Sequence, residues 1–195
     1  MGVSSIYRYF PSRDDLLTAL LVAAFTAQAD DVETAAREQT DPVTAIRAAL
    51  HAYRDWALAH PAEFALAYGT PVPGYAAPPE RTIPAAVRVG DLLVNCLAQA
   101  WHADRIDHTQ VDSRAASLSA SERSGLEALM TRRGYHLPIG LLSLTTDLFI
   151  SIHGFVVMEV FGQLRPLTTD ALTAYGRTID DALAHVGLHS TPAPP

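Results

Sequence analysis

Apolar residues recur along most of the chain at the three- and four-residue spacing of helices that bury one face. The first clear stripe comprises Leu16, Leu17, Leu20, Leu21, Ala24 and Phe25. It predicts a helix from Arg13 to about Glu38, with Ser12 at its N-cap. No segment shows the sustained alternation of a half-buried strand. The pattern therefore predicts an all-α fold.

Turn-forming residues divide the remainder of the chain. Asp41 and Pro42 suit the start of a helix that ends at His60-Pro61, and a short helix follows as far as Tyr68. Further helices are predicted over residues 85–103, about 122–133, 138–164 and 168–186. The proline-rich stretch 69–84 is predicted to be a loop, and the polar stretch 104–121 a mobile connection.

The composition is that of a globular protein, with 49% hydrophobic and 18% charged residues. A single cysteine, Cys96, cannot form an intramolecular disulfide, which fits a reducing cytoplasm. The apolar run 137–164 contains Asp147, His153 and Glu159. Because a lipid-facing helix rarely carries such groups, we predict a buried helix and no membrane partner.

The net charge of −7 is unevenly distributed. Residues 1–13 contain Arg8 and Arg13 and no acidic residue, a charge of +2. Residues 14–195 contain twelve arginines against twenty-one acidic residues, a charge of −9. Phosphate contacts are therefore expected only at the N-terminal end, since the rest of the surface repels DNA.

The N-terminal end carries a specific motif. Its sequence is Ile6-Tyr7-Arg8-Tyr9-Phe10-Pro11-Ser12-Arg13-Asp14-Asp15-Leu16-Leu17. It resembles the end of the recognition helix and the start of the next helix in the tetracycline-repressor (TetR) family of bacterial regulators. The resemblance implies contacts with operator DNA. The residues that would make them are Val3, Ser4, Ser5, Tyr7, Arg8, Tyr9 and Arg13. The other interpretation is an ordinary amphipathic helix.

The register of this motif bears on DNA binding. In the resemblance Met1 falls inside the turn of the helix-turn-helix, so that the first two helices of the motif would precede it. A recognition helix of about eight residues is too short to be stable alone. We therefore expect the 195-residue chain to bind operator DNA weakly or not at all.

A second resemblance covers the body of the chain. Tyr53, Trp56, His60-Pro61 and Phe64 are followed by a Gly-Thr-Pro loop and later by His153-Gly154-Phe155. This order is similar to a ligand-binding domain named after its Trp, His and Gly residues (WHG type), found in one branch of the TetR family. The resemblances imply a partial DNA-binding domain over 1–38 and a ligand-binding and dimerisation domain over 41–187. The proline-rich end of the chain predicts a disordered tail over 188–195.

Aromatic side chains from different predicted helices could line a cavity with few polar groups, as a site for a small apolar ligand requires. The candidates are Trp56, Phe64, Tyr68, Trp101, Phe149 and His153. The same residues would serve equally as ordinary core, with the His153 imidazole hydrogen-bonded internally. The sequence leaves both interpretations open.

The last predicted helix has apolar residues at the spacing of a seam between paired helices. They are Leu172, Tyr175, Ile179, Leu183 and Val186. Together with the apolar helix before it, this stripe predicts a homodimer joined by a four-helix bundle. The alternative is that the stripe faces the core of its own chain.

Residues suited to catalysis are sparse. Asp147, His153 and Glu159 are six positions apart, so on one helix they face different directions. His185 and His189 have metal-ligand spacing, but Gly187 interrupts the helix between them. No phosphate-binding loop or nucleophile motif occurs. We predict neither an enzyme nor a protein with a metal or other cofactor.

These observations favour a cytoplasmic, homodimeric TetR-like regulator. In that interpretation it is a repressor whose binding to operator DNA is relieved by a small, mostly apolar ligand. The alternative is a dimeric helical protein that binds small molecules but does not bind DNA in this form.

Overall fold

The computed structural model describes residues 10–188, which form an all-α fold, as predicted. Within that range there are nine helices. They are α1 (Arg13–Arg37), α2 (Pro42–Ala59), α3 (Pro61–Tyr68), α4 (Pro79–Ala86), α5 (Arg88–His102), α6 (His108–Ser117), α7 (Ala120–Arg133), α8 (Ile139–Val160) and α9 (Ala171–Val186). Residues 1–9 and 189–195 lie outside the described part of the chain.

The long helix α1 packs mainly on α2 and also contacts α3, α4 and α5. Ser12 caps it, because the Ser12 hydroxyl accepts a hydrogen bond from the Asp15 amide (3.0 Å). Its buried face includes Leu21, Phe25 and Val32, which agrees with the predicted stripe. Leu20, by contrast, is 48% exposed. This helix therefore connects the N-terminal end to the interior of the protein.

Helix α8 is the centre of the second half of the fold, in contact with α2, α5, α6, α7 and α9. Helix α6 approaches α8 so closely that a Cβ atom on Gly140 would lie 2.1 Å from the Val111 carbonyl oxygen. By length and composition α8 could cross a membrane, but 44% of its most apolar window is buried inside the protein. We interpret it as the core helix that the sequence predicted.

A buried ion pair joins α2 to α8. The Arg54 guanidinium donates two hydrogen bonds to the Glu159 carboxylate, at 2.7 and 2.5 Å. The side chains are only 9% and 12% exposed. The Tyr175 ring of α9 lies 5.4 Å from the Arg54 guanidinium carbon, and its hydroxyl donates to the Leu50 carbonyl oxygen (2.6 Å). Helices α2, α8 and α9 are thus locked together.

The predicted dimer seam on α9 needs correction. Four of its five residues are 0–2% exposed because they pack into the core of their own chain: Tyr175, Ile179, Leu183 and Val186. Only Leu172 of the five is at the surface, at 60% exposure. The stripe therefore faces inward, as the alternative interpretation had it.

Two stretches predicted to lack structure are partly helical. Residues 79–86 form α4, because proline at the start of a helix loses no hydrogen bond. In the polar stretch, α6 forms because Asp107 caps it through the Thr109 amide (2.8 Å) and Val111 is completely buried. Both helices also pack on a long helix, α4 on α1 and α6 on α8, and this packing outweighs a composition that is typical of loops.

The ends of the last two helices also differ from prediction. Helix α8 ends at Val160 and not at residue 164, and a turn follows in which Gly162 has a φ of 74°. Leu188 belongs to the fold and not to a disordered tail, since it is 9% exposed and forms an isolated bridge with Ile106.

Candidate ligand site

An aromatic cluster occupies the interior where α2, α3 and α8 meet. Its members are Tyr53, Phe64, Tyr68, Phe149 and His153. The ring centroids of Tyr68 and His153 lie 4.8 Å apart, and those of Tyr53 and Phe149 lie 6.0 Å apart. The rings pack directly on one another in edge-to-face and stacked pairs.

Two hydrogen bonds satisfy the polar atoms of this cluster. The Tyr53 hydroxyl lies 2.7 Å from His153 Nδ1, and the Tyr68 hydroxyl donates to Gln28 Oε1 of α1 (2.8 Å). Burial raises the pKa of Tyr68 to about 12 and raises the pKa of Tyr53 well above its ordinary value. Burial also lowers the pKa of His153. At neutral pH these groups are therefore uncharged, and the cluster offers hydrogen bonds without charge.

An open groove of about 480 Å³ lies beside the cluster, between α1, α2 and α3. Its lining is mostly small or aliphatic, with an aromatic pair and one carboxylate: Leu20, Ala23, Ala24, Ala27, Trp56, His60, Ala62, Glu63 and Leu66. The Trp56 and His60 rings are stacked, with centroids 4.9 Å apart. A groove with these walls suits a small, mostly apolar molecule.

The six predicted ligand residues divide into three groups. Phe64, Tyr68, Phe149 and His153 lie together in the aromatic cluster. Trp56 lines the groove. Trp101 lies apart from both, stacked on His108 with ring centroids 3.9 Å apart.

Sequence reasoning missed several residues that shape this region. The groove walls are formed largely by alanines, whose role no pattern reveals. Two further residues were not among the predicted ligand residues. Gln28 is buried, with 1% of its surface exposed, and Tyr53 forms a hydrogen bond with His153. The available signal for Gln28 was a polar residue on the apolar stripe, three positions after Phe25 and four after Ala24.

A second cavity of about 500 Å³ lies at the other end of α1, between α2 and α5. Most of its charged groups are already paired, among them Arg88 with Glu33 and Asp30 of α1 (2.7 Å each) and Asp41 with Arg105 (2.9 Å). A ligand would have to displace these ion pairs. The apolar groove is therefore the better candidate.

Of the predicted DNA contacts, only Arg13 lies in the described part of the chain. It is the first residue of α1 and is exposed. Val3, Ser4, Ser5, Tyr7, Arg8 and Tyr9 lie outside the described residues. Across residues 10–188, no three His, Cys, Asp or Glu side chains are grouped to hold a metal ion.

Comparison with known proteins decides the family. Residues 46–182 match the family model described as "Tetracyclin repressor-like, C-terminal domain". The chain belongs to the TetR family. The matched segment falls inside the ligand-binding domain that the second resemblance implied, and it contains the groove residues of α2 and α3 but not those of α1.

Two curated TetR relatives carry regulator names. The chain is 36% identical over 185 residues to the HTH-type transcriptional regulator Rv1816 of Mycobacterium tuberculosis, an alignment that covers 92% of this chain and 74% of that protein. The identity and coverage are the same for the HTH-type transcriptional regulator Mb1846 of Mycobacterium bovis. These names, which contain HTH for helix-turn-helix, place the chain among TetR-type transcriptional regulators.

Solved structures agree on the fold. A crystal structure of SCO4313, described as a regulatory protein, superposes with a TM-score of 0.69 at 28% identity, over 94% of this chain and 80% of that one. A Rhodococcus protein of unknown function superposes with a TM-score of 0.66 at 19% identity, over 96% of this chain and 79% of that one. The second likeness shows the fold alone.

Proposed function

We propose that this chain is a TetR-type repressor whose ligand, a small and mostly apolar molecule, binds in the groove between α1, α2 and α3. The observation that carries this proposal is that α1 forms one wall of the groove through Leu20, Ala23, Ala24 and Ala27. The same helix begins at Arg13, beside the N-terminal segment that resembles a DNA-reading helix. A ligand in the groove therefore acts on the element that leads to DNA.

The contacts of α1 support this coupling. Three polar interactions also hold α1 in place. Arg88 donates hydrogen bonds to Glu33 and Asp30 of α1. Near the start of the helix, Arg81 donates to Asp15 (3.1 Å), and the hydroxyls of Thr18 and Tyr75 form a hydrogen bond (2.9 Å). A ligand shifts such an equilibrium only if it binds one position of α1 better than another. A ligand between α1 and α3 would bind one position of α1 better than another, because the width of the groove depends on where α1 lies.

The charge distribution supports the proposed site of DNA contact. Residues 14–195 carry a net charge of −9, so that operator DNA is proposed to approach the N-terminal residues up to Arg13 and not the acidic body. Because transcription regulators act on chromosomal DNA, the cytoplasm is the proposed location.

A homodimer is part of the same proposal. Large apolar side chains are exposed on α8, on α9 and on the turn between them: Ile150 (61%), Phe161 (42%), Leu167 (70%) and Leu172 (60%). Exposed apolar groups grouped on adjacent elements are typical of a protein interface. These residues replace the inward-facing α9 stripe as the proposed dimer contacts.

A ligand screen with matched variants tests the proposal. Lipophilic compounds are ranked by the rise in melting temperature that they cause in the wild type. Ala27→Phe fills the groove from an exposed position of α1, whereas Ala128→Phe makes the same change at an exposed position of α7.

We expect Ala27→Phe to abolish the rise in melting temperature and Ala128→Phe to preserve it. DNA binding is expected to be weak in this chain, and an active compound should weaken it further in a gel-shift assay. Equal stabilisation of the wild type and Ala27→Phe would contradict the groove as the ligand site.

A further inference from the structure

The region beside the groove contains hydrogen-bond donors that the fold does not use. Gln28 is 1% exposed, and its Nε2 atom is buried without a partner. The Gln28 Oε1 atom accepts the hydroxyl hydrogen of Tyr68. The amide nitrogen therefore keeps two N–H donors that nothing in the described structure satisfies.

In the structure the Tyr68 O–H donates to Gln28 Oε1, which leaves Nε2 as the unpaired end of the amide. Two N–H donors therefore remain unused, and their complement is an acceptor. Buried donors without partners are rare in folded proteins, because leaving them unpaired costs stability.

The pair adjoins the groove. Ala27 precedes Gln28 in the chain and Ala24 lies one helical turn before it, and both alanines are in the groove wall. On the opposite side, Leu66 lines the groove two residues before Tyr68. Gln28 and Tyr68 do not line the groove themselves, but their chain neighbours do.

The surrounding charges indicate what kind of acceptor fits. No arginine is among the residues that line the groove, and Glu63 contributes a carboxylate to it. Phe25 packs edge-on against the Tyr68 ring, with centroids 5.5 Å apart. A carboxylate on the ligand would be repelled by Glu63 and would find no arginine in the lining to pair with. A neutral carbonyl accepts two N–H donors without that cost.

From these observations we propose that the ligand is a neutral carbonyl compound, such as a ketone, ester, lactone or amide, whose oxygen accepts hydrogen bonds from the Gln28 amide nitrogen. The proposal rests on the proposed function, because it takes the groove as the place of the apolar part of the ligand. It adds the chemical group that the site selects.

The test compares two probes of the same shape, cyclooctanone and methylenecyclooctane, which differ only in C=O against C=CH₂. Binding is measured by the fluorescence of Trp56 in the groove, in a Trp101→Phe background that leaves one tryptophan. Gln28→Met removes the donors at similar side-chain volume, and Gln99→Met makes the same change at an exposed position of α5.

We expect the ratio of the two dissociation constants to shift against the ketone by about two- to tenfold in Gln28→Met, as the loss of one hydrogen bond predicts. The ratio should be unchanged in Gln99→Met. Gln28→Met also removes the acceptor of the Tyr68 hydroxyl, so without ligand it should melt lower than the wild type, and the ratio of the two dissociation constants carries the test.

The outcomes separate the two proposals. Suppose that both probes bind, that Ala27→Phe blocks them, and that the ratio of their dissociation constants is the same in Gln28→Met and the wild type. The carbonyl proposal is then overturned, while the groove is supported as the ligand site. If a buried water already satisfies the amide, the ratio is constant in Gln28→Met, which also overturns it. If neither probe binds the wild type, both proposals are contradicted.

Discussion

The Tyr53 hydroxyl lies 2.7 Å from Nδ1 of His153, so that one hydrogen bond joins α2 to α8 through the aromatic cluster. Burial lowers the pKa of the imidazole below its ordinary value of 6.5. The folded protein therefore favours neutral His153, and protonation opposes folding.

The first prediction concerns pH. Between the lowered pKa of folded His153 and 6.5, the unfolded chain binds more protons than the folded one. The contribution of His153 to the free energy of unfolding is thus complete above 6.5 and is lost as the pH falls through this window. We expect His153→Gln to show a smaller loss of stability than the wild type between about pH 7.5 and about pH 5.5, by urea denaturation.

Tyr53→Phe provides the control, because it removes the hydroxyl but keeps the imidazole. This variant should be less stable by about 0.5–1.5 kcal/mol at neutral pH, yet retain the pH dependence. A pH profile of His153→Gln that matches the wild type would assign the titration to another group.

The second prediction concerns the Arg54–Glu159 ion pair. Removing one partner leaves a buried charge without compensation, so Arg54→Met should destabilise the protein by about 3–5 kcal/mol. The double variant Arg54→Met/Glu159→Leu should recover a large part of that loss. Arg47→Met is the matched control, since its pair with Asp180 is exposed and worth less than about 1 kcal/mol. Equal effects at Arg54 and Arg47 would contradict the burial of the first pair.

The third prediction concerns the contact between α6 and α8. A methyl group at Gly140 would lie 2.1 Å from the Val111 carbonyl oxygen, a backbone atom that cannot move away cheaply. Gly140→Ala should therefore lower the free energy of unfolding by about 1–3 kcal/mol. Gly125→Ala in α7 meets nothing within 4 Å and should raise it by about 0.5–1 kcal/mol, because alanine favours the helix. Thermal denaturation compares the two.

The fourth prediction concerns the proposed dimer. Ile150→Glu and Leu172→Glu place charges on the exposed apolar surface of α8 and α9. Because each residue occurs twice in a symmetric interface, each change should weaken dimerisation on the order of 100-fold or more. Sedimentation equilibrium measures this. Ile83→Glu on α4, also at an exposed apolar position (50%), should leave the dimer intact; dissociation by that variant as well would place the interface elsewhere.

The sequence predicted the helical fold because helices leave a local, periodic signal. Four of the six aromatic residues that the sequence grouped, Phe64, Tyr68, Phe149 and His153, pack together in the interior, and their contact with a ligand stays a prediction. Trp101 is also a large aromatic residue, but its ring stacks on His108. The packing of the helices, and not the periodicity of the sequence, decides which aromatic rings are in contact.

The inward face of α9 shows a different limit. An apolar stripe has the same spacing whether it meets its own core or a second subunit, so Tyr175 and Ile179 could not be assigned from sequence. Of the groove, the sequence indicated Trp56 but not the four alanines in its wall, whose effect is the space that they leave. Gln28 was detectable only as a polar exception within an apolar stripe.

Two arginines, Arg88 and Arg81, hold α1 by ion pairs of different strength, and this difference defines a point about which the helix can rotate. Arg88 binds Glu33 and Asp30 with three hydrogen bonds, whereas the exposed Arg81–Asp15 pair has one. The Arg81–Asp15 pair should therefore break first, and α1 would then rotate about a point near Asp30. Arg13 lies about 25 Å from that point at about 1.5 Å per residue, so a rotation of about 5° would move it by about 2 Å. A small change in groove width would thus produce a larger displacement at Arg13, the end of α1 that is proposed to contact DNA.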